Sequence, residues 1–102
     1  MRIWLDDQRE APEGYKHCHN LTELVVTLAQ SEHEIEEIAF DHDLGFDSNG
    51  IEETGMVACK FLEIFYPNLL ARIKYSCHSD NPDGKRNILS FISSFQKVNG
   101  TN

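Results

Sequence analysis

Carboxylates carry the first chemical signal in this chain. Asp6 and Asp7 end one short apolar run, Met1 to Leu5, and Asp41 and Asp43 end another, with His42 between them. Carboxylates held close together must raise a pKa, turn to solvent or bind a cation. A few hard oxygen ligands suit a divalent ion that keeps several waters and reaches for phosphate, such as Mg²⁺ or Mn²⁺. Asp6, Asp7, Asp41 and Asp43 are therefore the candidate metal ligands. If the strand continues, Asp41 and Asp43 share one side and His42 takes the other, under a helix or on the opposite lip. Arg9 lies three residues after Asp6, where its planar fork could take a phosphate bidentately. His78 and Ser79 place an imidazole beside a hydroxyl, which together suit protonation of a leaving oxygen and orientation of a phosphoryl group. Asn81, Gly84 and Asn87 follow at the approach to a final helix, whose first N–H groups offer an anion site.

Each signal has a plainer reading. Asp residues cap turns and end strands, Arg9 can simply neutralise Asp7 or Glu10, and Asn81-Pro82-Asp83-Gly84 is good turn chemistry by itself. For any single Asp the turn reading is at least as good as a functional one. Four of them, in two clusters at corresponding strand ends, weaken it. His17, Cys18, His19, Cys77 and His78 offer soft-metal donors, but strand alternation turns Cys18 away from its neighbours and the spacing matches no compact zinc site.

These residues need elements to position them. Met1 to Leu5 reads as a buried strand followed by a loop to Gly14, and Tyr15 to His19 as a short second strand. Asn20 caps a helix whose apolar face is Leu21, Leu24, Val25 and Leu28. Ile35 to Leu44 is a third strand ending in charge, and Gly45 to Gly50 a polar loop. Thr54-Gly55 precedes a second helix, Met56 to Phe65, which Pro67 ends. Arg72 to Cys77 is a fourth strand with Ile73 and Tyr75 on one face. Asn87 to Val98 carries Ile88, Leu89, Phe91, Ile92 and Phe95 at helical spacing and closes a single domain over residues 1–98, leaving 99–102 as a frayed tail. Strands alternating with helices predict an α/β fold, a small three-layer sandwich with a four-stranded, mainly parallel sheet covered on both faces. Ligands of such sheets lie beside the carboxyl ends of the strands, where Asp6-Asp7, Asp41-His42-Asp43 and His78-Ser79 all fall.

Composition narrows the partners. The chain has 102 residues, enough for one domain, and six Phe, three Tyr and one Trp supply bulky core groups, Trp4 and Tyr75 among them. Seventeen Asp and Glu against nine Lys and Arg leave a net charge of -8, which disfavours long nucleic acid while leaving room for a phosphate-bearing small molecule or an RNA end held by a metal or a local cation. No apolar run approaches the roughly 20 residues of a membrane span and no signal-peptide core is present, so the reading is cytoplasmic and without a membrane partner. Cys18, Cys59 and Cys77 are odd in number and widely spaced, which predicts reduced thiols. Periodicity leaves the oligomeric state open.

The layout resembles the response-regulator receiver domain, with Asp6, Asp7, Asp41 and Ser79 in the places of its acidic pair, its later Asp and its hydroxyl residue. It departs from a signalling receiver in its length, in the want of a fifth strand and in offering no counterpart of the receiver's Lys. More closely, Leu5-Asp6-Asp7-x-Arg9-x-x-Pro12, Phe40-Asp41-His42-Asp43-Leu44-Gly45, Thr54-Gly55, and His78-Ser79-x-Asn81 with Gly84 and Asn87 resemble the cyclic-phosphate-processing receiver domains. That resemblance implies a truncated receiver (flavodoxin-like) topology with strand order 2-1-3-4. It implies a hydrolase of cyclic phosphate ends, such as 2′,3′-cyclic phosphates of RNA or nucleotides, in RNA repair or phage-host conflict. His78, Ser79, Arg9 and Asp41 would then be catalytic, and Arg9, Asn81, Gly84, Asn87 and Thr54 would bind substrate. Two competing readings remain at this level: a non-catalytic receiver-like binding module, and a phosphoacceptor at Asp41.

Overall fold

The computed structural model describes residues 1–100. Its elements are β1 (Arg2–Leu5), β2 (Tyr15–Cys18), α1 (Leu21–Ser31) with a 3₁₀ turn at Glu32–Glu34, β3 (Glu37–Phe40), β4 (Asp43–Phe46), β5 (Glu52–Thr54), α2 (Gly55–Phe65), α3 (Pro67–Arg72), β6 (Lys74–Cys77) and α4 (Pro82–Asn99). Four strands form a parallel sheet in the order β2-β1-β3-β6, with β6 as the fourth strand of the expected 2-1-3-4 order. The α/β class and the truncated receiver-like topology are those implied by the sequence.

The register decides which side chains meet the helices. Ile3, Leu5, Cys18, Ile38, Phe40 and Cys77 project to one face and join Leu24 and Leu28 of α1, Leu62 of α2, Leu69 and Leu70 of α3, and Ile88 and Ile92 of α4 in one core. The crossovers from β2 to β3 and from β3 to β6 run in the same direction across the sheet, and right-handed crossovers in the same direction place their helices on the same face. The one connection that runs the other way, residues 6–14 between β1 and β2, contains no helix. The second face is therefore covered by its own side chains and not by a helical layer. Trp4 lies over Ala39, which is 2% exposed, to reach His78; Tyr15 meets the indole edge-on; and the Arg2 guanidinium sits 4.6 Å over the Tyr15 ring. Trp4, expected in the core, is half-buried on this face, and Phe46 and Phe65 are exposed.

Local chemistry shifts several element boundaries. Asn20 caps α1 as expected, accepting from the Glu23 N–H at 2.8 Å. Residues 43–54, read as a strand end and a polar loop, form a hairpin: Gly45 and Gly50 take positive φ, and the Asp47 carboxylate accepts the N–H groups of Asn49 and Ile51 in the turn. Strands this short carry no periodic signature. Pro67 follows the end of α2 but also opens α3, where its missing N–H costs nothing. Pro82 opens α4 five residues before the periodic segment, because Asn81 accepts from the Gly84 N–H at 2.9 Å; cap and turn draw on the same residue types. Asn99 is the last helical residue of α4, and residues 101–102 of the expected tail lie outside the described residues. Cys18, Cys59 and Cys77 are buried free thiols, and burial pushes the Cys59 thiol up to about 12. Among the described residues no helix is long and apolar enough to cross a membrane.

Candidate functional site

The carboxyl ends of β1, β3 and β6 bring Asp6, Asp41 and His78 together, with one ligand atom from each lying within 4.8 Å of the others. Parallel in-register pairing makes this inevitable: Leu5, Phe40 and Cys77 share a row, so the next residue of each strand emerges at the same edge. Asp6 is 1% exposed and hydrogen-bonded through both oxygens, with acceptor capacity left on Oδ2. Its Oδ1 accepts the N–H groups of Gln8 and Arg9, each at 2.8 Å, and its Oδ2 lies 2.9 Å from His78 Nε2. Burial alone would raise the Asp6 pKa, but those two amides and His78 outweigh it and hold the carboxyl below its ordinary value. Asp41 has the opposite environment: burial, then the charge of Asp6, push its carboxyl up. Burial pulls the His78 imidazole down against the pull of Asp6 and Asp41, and its Nδ1 is buried without a hydrogen-bond partner.

A polar cleft of about 300 Å³ opens beside this trio. Asp6, Asp7, Asp41 and Asp43 all line it, as do Arg9 and Ser79, and the three that sequence reasoning did not single out are Gln8, Gly45 and Asp80. Arg9 donates to the His78 carbonyl and to the Asp80 carboxylate, so it straps the β1–β2 loop to the segment after β6. Five carboxylates thus face one guanidinium.

A family model for the cyclic-phosphate processing receiver domain matches residues 1–94. The chain belongs to that family. No curated protein and no solved structure gave a significant match.

Within this cyclic-phosphate processing receiver domain, four expected substrate-binding residues lie outside the cleft lining. Thr54 caps α2, accepting from the Val57 N–H at 3.2 Å. Asn81 spends its side-chain oxygen on Gly84, whose N–H is thereby used, and Gly84 is buried under the His42 ring: a Cβ there would fall 2.3 Å from His42 Cγ. Asn87 is exposed on α4, in a separate groove with Met56 and Phe91. The first turn of α4 therefore presents neither Asn81 nor Gly84 to the cleft. Ser79 Oγ accepts the Asn81 N–H at 3.0 Å and keeps its own proton to donate. His42 packs against α4, one of the two places expected for it, and holds Asp43 at 2.9 Å through Nδ1. His17 and His19 stack on each other, with centroids 3.8 Å apart, while Cys18 turns inward to Thr27, so no zinc cluster forms there.

Trp4 is the site residue that sequence reasoning misplaced. Its position directly before Leu5-Asp6 put it in a strand, but only the sheet register shows that it shares a face with His78.

Proposed function

We propose that this domain opens cyclic phosphodiesters by metal-assisted hydrolysis, with a ribose 2′,3′-cyclic phosphate, on a nucleotide or an RNA end, as the substrate class. The observation that carries the reading is the convergence of Asp6, Asp41 and His78 beside a cleft that Asp6 and Asp41 line together with Arg9, in a chain of a cyclic-phosphate processing family. The donors fit a hard divalent ion: two close carboxylates, Asp41 pushed up by burial and then by the charge of Asp6, form an anionic excess that a dication offsets. Asp6 and Asp41 would hold it, and Asp7 and Asp43 line the same cleft. When bound, such an ion supplies polarisation of a phosphoryl oxygen and a lowered pKa for its water.

The remaining roles belong to the chain itself. Arg9 takes the two non-bridging phosphate oxygens with its fork, and the Ser79 hydroxyl donates to one of them. His78, neutral near pH 7 because burial lowers its pKa, holds its proton at Nε2 toward the Asp6 carboxylate; that proton passes to the departing ribose oxygen and the proton of the attacking water replaces it. Asp6 and Trp4 fix the ring in place meanwhile. A phosphoacceptor role for Asp41 is disfavoured by the cleft lining, in which Arg9 is the cation and no Lys takes part.

Incubation with a nucleoside 2′,3′-cyclic phosphate plus Mg²⁺ or Mn²⁺, followed by phosphorus NMR, tests the reading. Metal-dependent opening that disappears in Asp41→Asn supports it, and no opening with either metal leaves a non-catalytic binding module. In His78→Ala, loss of turnover with metal affinity intact supports the proton role, whereas loss of both moves His78 into the ligand set.

A further inference from the structure

The Arg9 guanidinium sits between two partners across the mouth of the cleft, the His78 carbonyl and the Asp80 carboxylate. The Asp80 side chain is 91% exposed, and an ion pair this open to water is weak. A phosphate arriving at Arg9 therefore displaces Asp80 at little cost, at a point where Arg9 and Asp80 both line the cleft. Asp80 then remains beside the bound anion as an unpaired negative charge. A cyclic phosphodiester carries one negative charge, whereas the monoester made by opening it ionises again near pH 6 and is almost a dianion above neutrality. Each added unit of charge a few ångström from a solvated carboxylate weakens binding by roughly fivefold.

We propose that Asp80 is a specificity-determining residue of this cleft: it holds the Arg9 fork until a phosphate replaces it, and its charge then favours the singly charged cyclic diester over the doubly charged monoester. The inference rests on the reading of Arg9 as the phosphate-binding group. It gives the cleft a means of releasing product that the Asp6–Asp41–His78 trio does not supply. Asp83, three residues on, provides the control, because it is equally exposed, is paired with Arg86 at 3.3 Å and lies outside the cleft lining.

The experiment titrates adenosine 2′,3′-cyclic phosphate and adenosine 3′-monophosphate into the full ¹⁵N-labelled chain at pH 8 in EDTA, so that metal-dependent turnover does not interfere. Wild type, Asp80→Asn, Asp83→Asn, Arg9→Ala and the Arg9→Ala/Asp80→Asn double variant are compared, with the amide spectrum as the check on folding. Asp80→Asn is expected to tighten the monoester roughly fivefold more than the cyclic diester, Asp83→Asn to leave that ratio unchanged, and Arg9→Ala to remove the effect of Asp80→Asn. An unchanged ratio in Asp80→Asn, or the same shift in Asp83→Asn, overturns the role of Asp80 while Arg9-dependent binding stands. Absence of binding by either ligand, or binding indifferent to Arg9→Ala, overturns the phosphate reading of Arg9 and this inference with it.

Discussion

The His78 imidazole lies flat on the Trp4 indole, with ring centroids 3.7 Å apart and planes 4° from parallel, while its Nε2 reaches Asp6 at 2.9 Å. Trp4 lies in β1 and His78 directly follows β6, on either side of β3, and the indole spans the gap because Ala39 between them is small. The stack orients the ring and takes it out of water at the same time.

Trp4→Leu keeps apolar cover over Ala39 but removes the flat surface. An aromatic pair contributes about 0.5–1.5 kcal/mol beyond area burial, so a loss of turnover of up to roughly tenfold is expected if His78 carries the proton. The imidazole should also titrate higher, toward its ordinary value of 6.5, as burial relaxes. Carbon-bound imidazole protons in NMR report that shift, and no upward movement would show that the indole does not desolvate His78.

Asp41→Asn removes a carboxyl that burial and Asp6 hold above its ordinary value of 3.8. A raised carboxyl pKa means that ionisation opposes folding at neutral pH. In EDTA the variant is therefore expected to melt at a higher temperature than the wild type, and, if Asp41 holds the proposed ion, to lose the rise in Tm that added Mn²⁺ or Mg²⁺ would give the wild type through ligand linkage. Thermal scans with and without metal check both halves, and a lower Tm for the variant in EDTA contradicts the first.

Acidification tests His78 and Asp6 in separate windows. The folded pKa of His78 lies below 6.5, so as the pH falls through 6.5 the unfolded chain takes up its proton first and stability declines until the folded pKa is reached. The folded pKa of Asp6 lies below 3.8, so its contribution is present above 3.8 and disappears as the pH falls through the folded value. Urea midpoints in EDTA should fall below pH 6.5 in the wild type and fall less steeply in His78→Gln. Equal slopes would remove His78 as the cause.

Gly55→Ala tests the approach of α2 to the site. A Cβ at Gly55 would stand 2.1 Å from the Asp41 carbonyl oxygen, a backbone atom directly after β3, and 2.8 Å from Ile88 Cδ1. Overpacking of this kind costs about 1–3 kcal/mol, and each kcal/mol lowers Tm by roughly 4–8 °C in a domain of this size. Because Asp41 must shift to make room, metal affinity should fall along with Tm. A fall in Tm alone would show that the Asp41 carboxylate is independent of its backbone's neighbour.

Much of this domain was legible from one-dimensional chemistry. Apolar runs ending abruptly in Asp6, Asp41 and His78 located three strands and the edge where their ends meet, because parallel strands deliver their carboxyl ends to one edge of the sheet. Asn20 marked a helix start because a cap needs a side-chain acceptor at a single position, whereas Thr54, implied as a substrate residue, caps α2. The α/β class and strand order followed from alternation and from the motif pattern.

Other features depended on distance between segments, which spacing does not encode. Only the direction of the two crossovers put the helices on one face and left Trp4, Tyr15 and Arg2 to cover the other. Only the register set Trp4 against His78 across Ala39, and only the loop path brought Arg9 to Asp80, 71 positions away in sequence. Asn81 and Gly84 carried residue types suited to a cap, a turn and an anion site alike, and the N–H of Gly84 settled the matter by bonding to Asn81. Sequence determined which groups were available at each strand end; tertiary packing decided which were still free to act, since a polar group already hydrogen-bonded within the fold has less to offer a ligand.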